Sequence, residues 1–315
     1  MNAQQINPLV AVIATGGTIA SKRGADGAST PSLTGEDLLA LVPQVNARLQ
    51  PIDLMSKDSA SLTLADMQRI SDAVRQQLDD PAIAGVVVLH GTDAMEETAL
   101  LVHLQQATSK PVVFTGAQFT ADHPHADGPA NLALAIETAM NQDNVGRGVL
   151  VSFGGRLLPA WGVYKRSADK PDAFRSARPI GHVESPRLPT PVAGVRVDIV
   201  AIYPGCDATH IQASLDAGAN GIVLAALGSG NANPDIIDTV RRCTDSGVPV
   251  VVSSRVPEGL LMSSYGGGGG GHDLAVVGAI HSRTLRPGQA RILLATLVAA
   301  RSPVERIFQA FSDCP

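Results

Sequence analysis

The sequence predicts an α/β fold with helices on both faces of parallel sheets, and three observations carry that expectation. Short apolar runs rich in Val and Ile recur along the 315 residues, each nearly continuous in hydrophobicity as fully buried parallel strands are. Between them lie stretches with apolar spacing of three and four, and strand alternating with helix is the signature of this class. Small residues are abundant, with 31 Gly, while aromatics make up only 3%. That balance suits tightly packed sheet-and-helix layers and disfavours aromatic stacking platforms.

Taken in chain order, strands are expected at Leu9–Ala14, Val86–Leu89, Val112–Phe114, Val149–Val151, Val197–Ile202, Ile222–Ala225 and Val248–Val252. Helices are expected at Leu64–Leu78, Met95–Gln106, Asn131–Met140, Asp235–Cys243 and Gly288–Ala300. One segment breaks the rhythm. Glu184–Pro191 carries three prolines in eight residues and reads as stiff and extended, without a helix or strand of its own. It marks residues 184–194 as a linker between a larger N-terminal domain, 1–183, and a smaller C-terminal one, 195–315. A surface loop within one domain is the alternative. Gly266–Gly271 is a run of six glycines with no preferred conformation.

Hydrophobic residues at 44% and charged residues at 17% exclude general disorder. The formal net charge of −5 lacks the basic footprint of a nucleic-acid binder. No apolar run approaches the ~18 residues that a membrane span needs; the longest is Ile292–Ala300. Three cysteines, Cys206, Cys243 and Cys314, read as small buried residues or idle thiols and not as a disulfide framework. The first residues show no basic n-region and no Ala-x-Ala cleavage site, so a cytoplasmic protein is expected.

Chemistry concentrates in three places. Ala14-Thr-Gly-Gly-Thr-Ile-Ala-Ser21 follows the first strand, at the sheet edge where ligands bind in such folds. Its glycines either let backbone amides approach a ligand, with Thr18 facing the crevice, or form an ordinary tight turn. The segment does not continue as G-x-G-x-x-G, which disfavours a dinucleotide. Leu89-His-Gly-Thr-Asp-Ala-Met-Glu-Glu-Thr98 runs from a strand into a helix. Asp93 with Glu96 reads as a capping box. Alternatively Thr92 lies where helix-terminal amides favour developing negative charge, and Asp93 accepts a substrate ammonium. Lys165, in Gly162-Val-Tyr-Lys-Arg166, is one of only five lysines. It is either a solvated loop residue or, packed near Thr92 and Asp93, a base whose proton affinity burial lowers. The histidines, His123 and His125 included, form no metal set, and no H-E-x-x-H or G-x-S-x-G motif exists, so no metal is expected.

Together these motifs resemble, in the same order, those of the bacterial-type L-asparaginase and glutaminase-asparaginase family. They are Ala14–Ala20, His90–Ala99, Lys110-Pro-Val-Val-Phe-Thr-Gly-Ala-Gln118, Ala126-Asp-Gly-Pro-Ala-Asn-Leu132 and Ser253-Ser-Arg-Val-Pro257, and the likeness spans residues 9 to 310. The resemblance implies a doubly wound N-terminal domain, a smaller flavodoxin-like C-terminal α/β domain, and no cofactor. It implies a homotetramer, a dimer of dimers in which a neighbour's C-terminal domain completes each site. The implied reaction is hydrolysis of the L-asparagine side-chain amide through an acyl-enzyme, with L-glutamine as a side substrate. By motif, Thr18 is implied as the primary nucleophile and Thr92, Asp93 and Lys165 as a second cluster. Ser59, aided by the Asp58 backbone, is implied to hold the α-carboxylate, and the Ala117 backbone to receive the amide.

Two positions depart from the family. Ser21–Pro31, read as a mobile loop, has no tyrosine where relatives carry an activating one. The place of a cross-subunit glutamate falls near Tyr265 and Gly266, although its asparagine companion is matched by Asn231. Three functions therefore stand: an asparagine amidohydrolase, an amidase for another amino-acid amide, and a non-catalytic amino-acid-binding protein. The joint presence of Thr18, Thr92, Asp93 and Lys165 favours chemistry.

Overall fold

The structure, a computed structural model, describes residues 7–24, 26–42, 45–107, 109–177, 187–305 and 308. The chain divides into two compact units, Met1–Val183 and Glu184–Pro315. The first part of the Pro-rich segment, 184–186, lies outside the described residues, as does Cys314. From residue 187 the segment has no helix or strand, yet it buries Leu188 and Val192.

In the first unit, β1 (Leu9–Gly16) leads into a hairpin of β2 (Ser21–Arg23) and β3 (Ser29–Pro31), then α1 (Gly35–Ala40), β4 (Arg48–Lys57) and α2 (Leu64–Asp79). Next come β5 (Ile83–Leu89), α3 (Met95–Gln105), β6 (Val112–Thr115), α4 (Gly128–Met140), β7 (Val149–Phe153) and β8 (Arg156–Pro159). A second hairpin, β9 (Val163–Lys165) with β10 (Phe174–Ser176), follows. The main sheet runs β4-β1-β5-β6-β7-β8, parallel except for antiparallel β8. The chain steps outward from β1 to β4, then crosses back over β1 to β5. The strand order therefore reverses between β1 and β5, which is where parallel sheets open a crevice at their carboxyl ends.

Alternation along β1 builds two cores. Ala11 and Ile13 pack with Ile70 and Val74 of α2 and Met95, Ala99 and Val102 of α3. Val10, Val12 and Ala14 face the other way, onto Leu38 of α1 and Leu132, Ala135 and Ile136 of α4. The near-continuous apolar strands follow from this, since both faces of the sheet are covered.

The second unit alternates β11 (Val197–Ala201), α5 (Thr209–Asp216), β12 (Gly221–Ala226), α6 (Pro234–Asp245), β13 (Val250–Ser254), α7 (Gly271–Val276), β14 (Ile280–His281) and α8 (Pro287–Ala299). Among the described residues its four strands lie parallel in sequence order, without a reversal.

Three local features differ from the sequence-based expectation. Ser21–Pro31 pairs as a hairpin and is tied down by two bonds, from Ala121 N–H to Ser21 O at 3.0 Å and from Arg23 N–H to Asp122 Oδ2 at 3.0 Å. The six-glycine run has a defined course. The Asp273 carboxylate accepts from the Gly268, Gly269 and Gly270 amides at 2.8, 2.9 and 3.0 Å, and these bonds hold its pKa below the ordinary value. Ser253 and Ser254, beyond the expected strand end at Val252, continue β13 and are buried there because their hydroxyls donate to the Leu285 and Gly228 carbonyls.

Candidate active site

The carboxyl ends of β4, β1, β5 and β6 carry Asp58 and Ser59, Thr18, Thr92 and Asp93, and Ala117, all along one edge of the sheet. Glycine makes their convergence possible. Gly16 has φ +102°, and a Cβ there would sit 2.5 Å from the Lys57 carbonyl oxygen. Gly17 has φ +79°, and its Cβ would fall 2.4 Å from the Gly91 Cα. A Cβ on Gly91 would in turn meet the Ser59 Oγ at 2.5 Å. Three loops thus meet backbone against backbone, and the residues that follow the two touching glycines are Thr18 and Thr92. Thr18 opens a single 3-10 turn, Thr18–Ala20. It is partly buried, and its hydroxyl bonds to no side chain among the described residues.

The loop after β5 is bound on several sides. Thr15 Oγ1 donates to the Leu89 carbonyl at 2.8 Å, stitching β1 to β5. Ser59, 4% exposed, accepts from the Asp93 amide at 3.2 Å. His90 is fully buried, and its Nδ1 lies 2.7 Å from the Gly91 carbonyl. Burial pushes its pKa down to about 4, so the ring is neutral near pH 7 and Nδ1 is the donor.

The β9 hairpin delivers Lys165. Its Nζ donates to Thr92 Oγ1 at 2.8 Å and to Asp93 Oδ1 at 2.7 Å. Thr92 is buried and the lysine side chain is 20% exposed, whereas the Asp93 side chain is 57% exposed. The alternative of a solvated loop lysine is thereby set aside. The lysines at 57 and 110 have structural tasks: Lys57 pairs with Asp66, and Lys110 donates to the Leu78 and Asp80 carbonyls at the end of α2.

The expected capping box does not form. The N-cap of α3 is Ala94, with no side-chain capping bond. Glu96 instead accepts from the Lys165 amide at 2.6 Å, and burial pushes its carboxyl up to about 7. Asp127 and Asn131 had no assigned role in the sequence, and they scaffold the loop that carries Ala117. The Asp127 carboxylate accepts from the Gln118 and Phe119 amides, while Asn131 Nδ2 donates to the Gly116 carbonyl at 3.0 Å. Asn131 Oδ1 also accepts from Gly154 N–H, so a single amide ties β6, α4 and the turn after β7. Asn131 lies in the first turn of α4, four residues past its N-cap Asp127, but only the fold reveals these partners.

Asn231 belongs to the second unit. Its Oδ1 accepts from the Gly271 amide at 3.1 Å. Tyr265 is 62% exposed. Among the described residues no group of three or more His, Cys, Asp or Glu side chains is arranged to hold a metal ion.

The described geometry presents hydroxyls at a crevice, one of them held by a lysine amine, with helix-terminal amides alongside. Such an arrangement serves nucleophilic attack on an acyl carbon. Comparison with known proteins identifies the family. Residues 9–189 match the family description "Asparaginase, N-terminal", and residues 196–311 match "Glutaminase/Asparaginase C-terminal domain". A Deinococcus radiodurans protein named "Probable L-asparaginase" is 36% identical over 96% of this chain and 97% of its own. Escherichia coli "L-asparaginase 2" is 31% identical over 97% of this chain and 93% of its own. The crystal structure of a "Probable Cytoplasmic L-asparaginase" from Campylobacter jejuni superposes with TM-score 0.84 at 28% identity, covering 96% of this chain and 99% of that one. With both domain descriptions matched and the motif loops after β1, β5 and β6 folded onto one sheet edge of the first unit, the chain belongs to the bacterial-type L-asparaginase family.

Proposed function

We propose that this protein hydrolyses the side-chain amide of L-asparagine to L-aspartate and ammonia, and that Thr18, Thr92, Asp93 and Lys165 carry the reaction. The observation that supports it most is the Lys165 amine bonded at once to the Thr92 hydroxyl and the Asp93 carboxylate. Thr18 attacks the amide carbon, the C–N bond breaks, and the hydroxyl proton leaves with the nitrogen as ammonia. Water then cleaves the acyl ester, returning the hydroxyl to Thr18 and releasing aspartate. Lys165 relays the proton through the Thr92 hydroxyl to which it is bonded, and the exposed Asp93 carboxylate meets the substrate ammonium. Ser59 and the Asp58 backbone hold the α-carboxylate, and the Ala117 backbone receives the amide. Asn231, by family likeness, contributes to the amino-group pocket.

The same reading gives a homotetramer, a dimer of dimers; it also gives a cytoplasmic setting, the one named for the Campylobacter relative. Among the described residues no helix is long and apolar enough to cross a membrane.

Ammonia release and aspartate formation from L-asparagine test the reaction, with L-glutamine and D-asparagine as competing amides. Thr18→Ala and Thr92→Ala each lower kcat by about 10² or more, with folding nearly unchanged. A variant that keeps more than about a third of wild-type activity removes that threonine from the mechanism.

A further inference from the structure

Glu96 is the second residue of α3, and Lys165 is the last residue of β9. The bond between Glu96 Oε2 and the Lys165 amide, at 2.6 Å, spans 69 positions of sequence. It anchors a strand only three residues long, whose sheet partner is the equally short β10. The contacts at the far end of the lysine are weak anchors by comparison. The Asp93 side chain is 57% exposed, and an ion pair so open to water contributes only about 0–1 kcal/mol. A lysine side chain also has much rotamer freedom, so where its amine rests depends on where its backbone is fixed.

We propose that Glu96 is a positioning residue, whose carboxyl fixes the Lys165 backbone so that the amine reaches Thr92. The inference rests on the asparaginase reading for its kinetic consequence, though not for its structural one. Two charged groups act on this carboxyl: Glu97 of the same helix raises its pKa and Lys165 lowers it, while burial pushes it up most. A carboxyl kept in so unfavourable a place, beside a candidate catalytic amine, fits a service to that amine.

The test uses the full-length protein and two readouts. One is kcat and KM on L-asparagine. The other is the acetylation rate of Lys165 by acetic anhydride, measured by peptide mass, which needs no substrate. Glu96→Ala is expected to lower kcat about 10- to 100-fold, as small misplacements of catalytic groups do, with KM nearly unchanged. It is also expected to speed Lys165 acetylation, because the amine leaves Thr92 and Asp93. Glu96→Gln keeps an acceptor oxygen for the amide and restores both values to within about threefold of wild type. Glu96→Asp shortens the arm by one methylene and serves if Glu96→Ala does not fold; the same losses are expected of it. Either readout staying within about twofold of wild type in Glu96→Ala or Glu96→Asp overturns the proposal. So does a Glu96→Gln variant as impaired as the alanine. If the wild type releases no ammonia from asparagine, the proposed substrate falls, and the labelling result alone decides the role of Glu96.

Discussion

Gly17 shows how narrowly the candidate site is built at the level of one atom. An added methyl group would overlap the Gly91 backbone, and the positive φ disfavours any side chain besides. Gly17→Ala should cost about 1–3 kcal/mol in urea unfolding and most of the activity. Gly205→Ala, at φ +84° with nothing within 4 Å, supplies the control. It carries the backbone penalty alone and should keep activity. Titrating groups give a second expectation. His90 and His103 are pushed by burial from 6.5 to about 4. Between those values the unfolded chain binds protons that the folded chain does not. Their contribution is whole above 6.5 and is lost as pH falls toward 4. Glu96, raised from 4.5 to about 7, acts oppositely: its contribution is whole below 4.5 and is lost as pH rises through 7. Two histidines outweigh one glutamate, so these groups make unfolding free energy climb from pH 4.5 to 6.5. His103→Gln should flatten that climb by up to about 1.4 kcal/mol per pH unit, read from urea titrations at fixed pH. At this scale Thr18 and Thr92 stand out in the sequence because each directly follows a glycine, whereas Ser59, between Asp58 and Ala60, was reached only through the family resemblance. The role of Glu96 was not legible. Local spacing made it a capping residue, and its true partner lies far along the chain.

The main-sheet strands that the sequence revealed are those buried on both faces. β1, β5, β6 and β7 appear as unbroken apolar runs, and α2 shows its spacing plainly. β4 was missed because it is an edge strand, interrupted by Pro51, with alternating partial burial. The two hairpins and β14 are two or three residues long, too short to show a period. Helix ends carry their own signals. Thr63 accepts from the Asp66 amide at 3.1 Å, and Asp66, held down to about 2 chiefly by Lys57, returns the bond to Thr63 N–H. Thr63→Ala should cost about 1 kcal/mol, seen as a shifted urea midpoint with the slope unchanged. In the second unit, Asp273→Ala should free the Gly268–Gly270 amides, visible as faster hydrogen exchange confined to that turn.

For the whole molecule, α/β class follows from composition and rhythm, but strand order does not. Nothing in the apolar runs says that β4 pairs outside β1, and that single pairing creates the order reversal beside which Thr18 and Thr92 lie. The proposed assembly is tested at this scale by light scattering, where a monomer retaining full activity would contradict a site shared between subunits.

The reversal at β1 and β5 also sets a timetable for synthesis. As the chain leaves the ribosome, β5 can join β1 and bring Gly91 against Gly17 once residue 91 has emerged, whereas Lys165 is made 73 residues after Thr92. At ~5–20 residues per second that delay is several seconds. The amine that Thr92 binds is therefore among the last parts of the site to be synthesised, and the hydroxyl loops have no base until the second hairpin is made.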